Sequence, residues 1–414
     1  MNLRYSLQVV MVNSADSSES SISSRTAYKV VFFLGLVSLF GDIVYEGARG
    51  LIPSFFLYLG ASATIVGIVT GLGELVGYTG RLAGGFLADL SKRYWLFIFI
   101  GYGLIAALPS MPLSLIAGGW LLAAILIIAE RFGKGFRAPA RDAIIASVSS
   151  KIGRGKAFGI HEFFDQLGAV TGPLLVAGIM AYTQENYAVS FGVLFIPYLI
   201  LMCVLTLTYF SIRDIEAKSS KKYTIKGPMT RPLAMYITGV FLNSLGLIPA
   251  SLILYKAGLI AKGYEWLVPA VYALIQLIDA PSALAAGFVY DKIGLSVLFV
   301  PFFLTILISP VLFSENTLAI VFAASILYGI VLGMIESTYR AAIADLAPPK
   351  YRGTAYGVFY TALGLGSLLS GAIYGLMMDL KFGVGQVLVY VVIIEALALA
   401  LLASAIKNLK ESSK

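Results

Sequence analysis

Uncharged stretches long enough to cross a lipid bilayer recur along the whole chain, and they constrain its fold more than any other feature. Gly50–Gly73, Tyr187–Ile212, Ile293–Ser314, Asn316–Ile335 and Thr354–Met378 contain no charged residue. A helix needs roughly 20 apolar residues to span the hydrocarbon core. Trp95–Ala129 is longer, and Pro109 and Pro112 near its middle divide it into two helices joined by a turn. None of these segments alternates polar and apolar residues as a membrane β-barrel requires, so helices are the expected spanning element. Charged residues make up 13% of the chain, against roughly 25% in water-soluble domains, which is too few to cover a soluble fold of this length. The expected class is an all-α integral membrane protein.

The formal net charge of +8 raises the question of a nucleic-acid partner, and the placement of the basic residues answers it. With the N-terminus inside, twenty lysines and arginines fall in loops and tails on one side. They include Arg25, Lys92, Arg93, Lys151, Arg154, Arg213, Lys292, Arg352 and Lys407, whereas the other side holds only Lys256, Lys262 and Lys381. This bias fits twelve helices with both termini cytoplasmic and a multi-pass location in the cell membrane. No nucleic-acid partner is then needed. The expected organisation is a serine-rich, disordered cytoplasmic tail over 1–27, a six-helix bundle over 28–210, a hydrophilic cytoplasmic linker over 211–231, a second bundle over 232–406, and a cytoplasmic tail over 407–414. The single cysteine, Cys203, permits no intrachain disulfide.

The two halves echo one another. Gly85-Phe-Leu-Ala-Asp89 recurs as Gly287-Phe-Val-Tyr-Asp291. Arg141-Asp-Ala-Ile-Ile-Ala146 recurs as Arg340-Ala-Ala-Ile-Ala-Asp345, and Arg154-Gly-Lys-Ala-Phe-Gly159 as Arg352-Gly-Thr-Ala-Tyr-Gly357. Three echoes in one order and at nearly one offset indicate an internal duplication. Parallel six-helix repeats place a binding cavity between the halves near mid-membrane, served by alternating access.

On these residues the chain after Tyr28 resembles the major facilitator superfamily. Gly85, Asp89, Lys92 and Arg93 look like that superfamily's helix 2–3 gating loop, repeated at Gly287 and Asp291. Lys92 stands where the superfamily usually has a glycine, so a different turn is expected there. Gly159, Gly168 and Gly172-Pro173 on helix five resemble its antiporter signature, with Val176 and Ala177 in place of the usual paired glycines. They form either a hinge or a packing seam. Arg131 with Gly133 and Gly135 resembles a motif whose arginine is linked to proton transfer. The following stretch, Lys134 to Asp142, resembles a prokaryotic drug-efflux-like branch. Arg137, Arg141 and Asp142 otherwise serve as interfacial anchors. The resemblance implies two pseudo-symmetric six-helix bundles and a secondary transporter of a small solute, with no cofactor.

Ionisable groups at membrane depth are functional candidates by default. Asp42, Glu46 and Arg49 share one face of helix one, and Asp42 lies ~18–20 Å along that helix from Lys29, near the midplane. A carboxylate there can take up and release a proton, or the three groups can neutralise each other. Asp165 on helix five is a further candidate. His161, one turn away, is more apt to pack or cap, and a metal at His161, Glu162 and Asp165 lacks the extra histidine or cysteine that zinc favours. Glu74 and Arg81, Glu336 and Arg340, Asp279 and Glu395 complete the set, some of them expected as ion pairs between helices. The expected activity is proton-coupled transport of an organic molecule by a monomer embedded in lipid, with drug or metabolite efflux as one form. Alternatives are organic-anion uptake using Arg49, Arg131 and Arg340, a passive channel, and a membrane-embedded enzyme. No zinc motif, P-loop or nucleophile elbow favours the last, so no enzyme is expected.

Overall fold

The computed structural model describes residues 23–213, 229–348 and 351–412. The first part of the expected N-terminal tail (1–22) and most of the expected linker (214–228) lie outside the described residues. Helix α1 (Ser24–Tyr58) begins inside the stretch expected as a tail, because the Ser23 hydroxyl accepts from the Thr26 amide and caps the first turn. It is followed by α2 (Ala63–Ser91), α3 (Tyr94–Gly103), α4 (Gly119–Ser149), α5 (Arg154–Tyr182) and α6 (Tyr187–Ile212). The second half contains α7 (Arg231–Ile260), α8 (Leu267–Ile293), α9 (Phe299–Ser314), α10 (Leu318–Leu346), α11 (Arg352–Asp379) and α12 (Val384–Ser412). The last helix runs through most of the expected C-terminal tail, with Lys407 and Glu411 paired one turn apart at 4.0 Å.

Among the described residues, nine stretches are long and apolar enough to cross a membrane. One of them, Leu267–Ser314, is broken at Gly294, where φ is +60°. The charged helix α4 and the short apolar stretch Tyr94–Ala107 stand apart from these nine. Helix α4 starts at Gly119, several residues past the turn expected at Pro109 and Pro112, since Gly118 and Gly119 both have positive φ and end the short turn Leu113–Ile116.

Local breaks interrupt several helices. α7 is interrupted between Gly246 and Ala250, ahead of which Pro249 is extended. α10 contains a π-helical turn over Ile335–Tyr339, a local widening often found at functional sites. Lys92 adopts the left-handed conformation, φ 58° and ψ 13°, as the C-cap of α2. The turn therefore keeps the shape a glycine would give, with a lysine carrying the strain, and the expected change of turn does not occur. Gly294, at the matching place in the second half, also has positive φ.

Small residues bring the halves together. Gly71 faces the Leu368 backbone and Gly364 faces Leu75, where an added Cβ would lie 2.6 and 2.8 Å from a Cα, so α2 and α11 pack backbone to backbone. At the membrane side away from the start of α1, here the distal face, the Asp379 carboxylate at the end of α11 accepts from the Ala63 and Thr64 amides at 3.0 and 2.9 Å. It also accepts from the Thr64 hydroxyl at 2.5 Å. A side chain of one half thus caps the first turn of a helix of the other. Beside it, the Tyr255 hydroxyl on α7 donates to the Ala61 carbonyl at 3.1 Å.

Candidate functional site

Beneath this closure lies a cavity of about 710 Å³ between the halves. Its deep end is formed by Ile52, Pro53, Thr70 and Leu254. From there it extends to Arg81, Arg141, Phe158 and Tyr356, near the ends of helices on the side where α1 begins. Asp42, Glu46, Arg49, Glu74, Arg131, Asp165, Asp279 and Glu336 all line this one space. Charged groups in apolar helices are costly to expose to lipid, so the helices turn them toward a shared polar interior.

The charges on the first half form a chain of contacts across three helices. Arg49 meets Glu46 at 3.1 Å on its own helix and Glu74 on α2 at 2.5 Å. Arg131 on α4 lies 3.7 Å from Glu74 and 3.6 Å from Glu130, and Arg137 reaches Glu130 at 3.4 Å. From the second half, the Tyr272 hydroxyl donates to Glu46 at 2.5 Å. Each arginine therefore has an acidic partner, so removing a single member would leave an uncompensated buried charge. Glu74 does not pair with Arg81, which instead stacks over the rings of Tyr78 and Tyr360 at 5.6 and 5.4 Å.

A second cluster surrounds Asp165. Its carboxylate lies 3.4 Å from His161 Nδ1 and 3.9 Å from Arg141. His161 Nε2 is 3.0 Å from the Ser38 hydroxyl, which accepts from Arg141 at 2.7 Å. The histidine is 3% exposed and held at both nitrogens. Arg137 is equally buried, donating to the Gly101 carbonyl and Glu130, so it is a strut within the bundle and not an interfacial anchor.

Asp42 and Lys134 on the first half stand outside these pairings, as do Arg81 and Glu162. Asp42 is 6% exposed, and among the described residues it has no basic group within 4.0 Å. Lys134 has no carboxylate within that distance among them either, and its ammonium lies 4.5 Å above the Tyr45 ring. On the second half, Arg340 donates to the Glu336 backbone carbonyl rather than to its carboxylate. Glu395 lines no part of the cavity. It is fully buried against Asn243, which donates to both carboxylate oxygens at 3.1 Å, and it forms no ion pair among the described residues.

The helix-five glycines divide between two roles. A Cβ on Gly168 would come within 2.6 Å of the Leu39 carbonyl, and one on Gly172 within 2.9 Å of the Gly47 nitrogen, so both pack tightly against α1. Gly159 has open space around it. Pro173 lies buried within α5. In the gating loops, Asp89 accepts from the Tyr94 hydroxyl at 2.6 Å at the start of α3. Gly85 lies against Pro139, and Gly287 against Ser337. Arg93 flanks the α3 start and is exposed. Asp291, near the end of α8, is exposed as well.

Sequence reasoning passed over several lining residues, among them Lys134, Gln166, Gln276 and Tyr272, and the buried bridge Glu130. Glu130 was detectable as the neighbour of Arg131, and Gln276 as the residue one turn before Asp279. Tyr272 carried no such signal.

The Major Facilitator Superfamily model matches residues 31–371. An uncharacterised protein of Mycobacterium tuberculosis is 36% identical over 389 residues, covering 91% of this chain and 93% of that one. A class D tetracycline resistance protein of Salmonella ordonez is 32% identical over 126 residues, covering 30% of this chain and 31% of that protein. Among solved structures, the nucleoside transporter NupG superposes with a TM-score of 0.71 at 12% identity, covering 91% of this chain and 99% of its own. That likeness concerns the fold.

Proposed function

Because the chain belongs to the Major Facilitator Superfamily, and is a membrane transporter on that ground, we propose that it exchanges protons for a small organic solute by alternating access. Both termini are placed in the cytoplasm, the cavity faces the cytoplasm, and the membrane is the cell membrane. The placement rests on the excess of lysine and arginine on the side of the helix starts. Export is the favoured direction, on the strength of the helix-four and helix-five motifs and the partial likeness to a tetracycline resistance protein.

The observation that carries the coupling is Asp42. It lies in the cavity wall, almost fully buried, next to a chain in which Glu46 of its own helix and Glu74 of α2 both have basic partners. An acid outside such pairing can change protonation without breaking an ion pair. Where its proton affinity differs between the two open faces, its protonation biases which face of the cavity is open. The anion-uptake reading draws less support, since Arg49 and Arg131 are already engaged by Glu46, Glu74 and Glu130.

The test uses purified protein in liposomes containing a pH-sensitive dye, with a panel of hydrophobic cations, sugars, amino acids and organic anions. The expected result is proton movement that depends on a particular solute and disappears in Asp42→Asn. Solute-dependent proton movement that survives Asp42→Asn removes Asp42 from the pathway. Solute transport with no proton movement in wild type overturns the coupling.

A further inference from the structure

Three oxygen atoms bordering the cavity, two on the second half and one on the first, are left without a donor. Asp279 Oδ1, Gln276 Oε1 and Gln166 Oε1 are buried and have no hydrogen-bond partner among the described residues. Gln276 and Asp279 are one turn apart on α8, 6% and 2% exposed, and both line the cavity. Gln166 on α5 faces Asp279 across the boundary between the halves, its amide turned toward the carboxylate as a donor but short of hydrogen-bond distance to Oδ1. Its amide nitrogen faces Glu162 at 3.4 Å, which leaves the carbonyl oxygen free. Glu336, from the π-helical turn of α10, adds a second negative charge to the same wall.

A buried acceptor without a donor is expensive, and three together require a ligand that supplies donors and no acceptors. A protonated amine has that inventory, with up to three N–H groups and one positive charge. A divalent metal fits poorly: among the described residues, no group of three His, Cys, Asp or Glu side chains is placed to hold one. We infer that Gln166, Gln276 and Asp279 form a subsite for the ammonium group of the transported solute. The subsite spans the interface, two residues from one half and one from the other, so an amine bound there ties α5 to α8. Releasing it would accompany separation of the halves. This inference rests on the transport reading above, but binding at the subsite can be measured without transport.

The experiment labels full-length protein in detergent with dicyclohexylcarbodiimide and reads modification of the Asp279 peptide by mass spectrometry, with Asp279→Asn as the control. Methylammonium, tetramethylammonium and sodium chlorides are compared at equal ionic strength. Methylammonium is expected to protect Asp279 with a saturating dependence. Tetramethylammonium, which has the charge and no N–H donor, should protect far less. Gln276→Leu should raise the half-protecting concentration by about tenfold, the scale of one lost charge-assisted hydrogen bond. Where the reagent does not reach Asp279, the melting temperature in the same three salts, for wild type and Asp279→Asn, makes the same comparison. Equal effects of all three salts would reduce the result to charge screening and overturn the proposal. Sodium acting where methylammonium does not would assign the oxygens to an inorganic cation, and no effect of any salt would mean there is no cation subsite. The liposome assay keeps the two readings apart: proton coupling lost in Asp42→Asn can stand while the amine subsite fails.

Discussion

Asp379→Ala should open the distal face. In the structure this carboxylate receives two backbone N–H groups and one hydroxyl from the first turn of α2, at 3.0, 2.9 and 2.5 Å. Hydrogen bonds to a charged acceptor contribute roughly 1.5–3 kcal/mol when buried. Thr64 is partly solvent-exposed and Ser62 also caps the helix, so a helix-cap value of about 1–2 kcal/mol for the whole contact is the better scale. All of it acts between the halves and none within one bundle. The closed arrangement should therefore lose about tenfold in population relative to the distally open one. The assay places a single cysteine at Ala250, which lines the cavity, in a Cys203→Ser background. A membrane-impermeant maleimide is then applied to the distal face of oriented vesicles. Labelling should accelerate by about tenfold in Asp379→Ala, while labelling from the other face slows or stays constant. An unchanged distal rate in a folded, normally inserted variant would refute the idea that this cap holds the cavity shut.

Other outcomes follow from the same contacts. Lys92→Gly should stabilise the protein by about 1 kcal/mol, read as a higher melting temperature, because Lys92 sits at φ 58° where glycine carries no Cβ penalty. Gly172→Val should lower stability by roughly 1–3 kcal/mol through overpacking against α1, whereas Gly159→Ala should be neutral or slightly stabilising in the same measurement. Glu185, in the turn between α5 and α6, has its carboxyl raised above the usual range by burial and by the nearby Glu265 charge. A raised carboxyl pKa leaves this arrangement most stable below the ordinary carboxylate value, and that stability is lost as pH rises from there through the raised value. Distal cysteine labelling should therefore quicken as pH climbs from the ordinary carboxylate range, and Glu185→Gln should flatten that dependence.

The membrane class and the duplication were legible because they rest on patterns spread over many residues: uncharged runs, one-sided basic loops and three echoes at one offset. Helix ends were less so. Gly118-Gly119 delays α4, a serine hydroxyl starts α1 early, and α12 continues to Ser412, each decided by a few backbone dihedrals or one cap. Most of the acids and bases that line the cavity, though not Lys134, stand out in the sequence because an ionisable group in an apolar helix has few tolerable surroundings. Which of them pair does not. Glu74 lies seven residues from Arg81 but meets Arg49 and Arg131, partners set by how helices cross. Neutral polar residues such as Gln166, Gln276 and Ser38 are cheap enough to place in many settings, so nothing in their sequence context marks them as part of the site.

Proton and solute movement are proposed to be coupled through the cavity, and coupling is reciprocal. The most direct measurement imposes a gradient of the transported solute across proteoliposomes at equal pH on both sides and follows the internal pH. The solute gradient should drive protons the opposite way and build a pH difference. In Asp42→Asn that difference should be absent while solute exchange persists. A solute gradient that dissipates through the wild-type protein without any change in internal pH would contradict it.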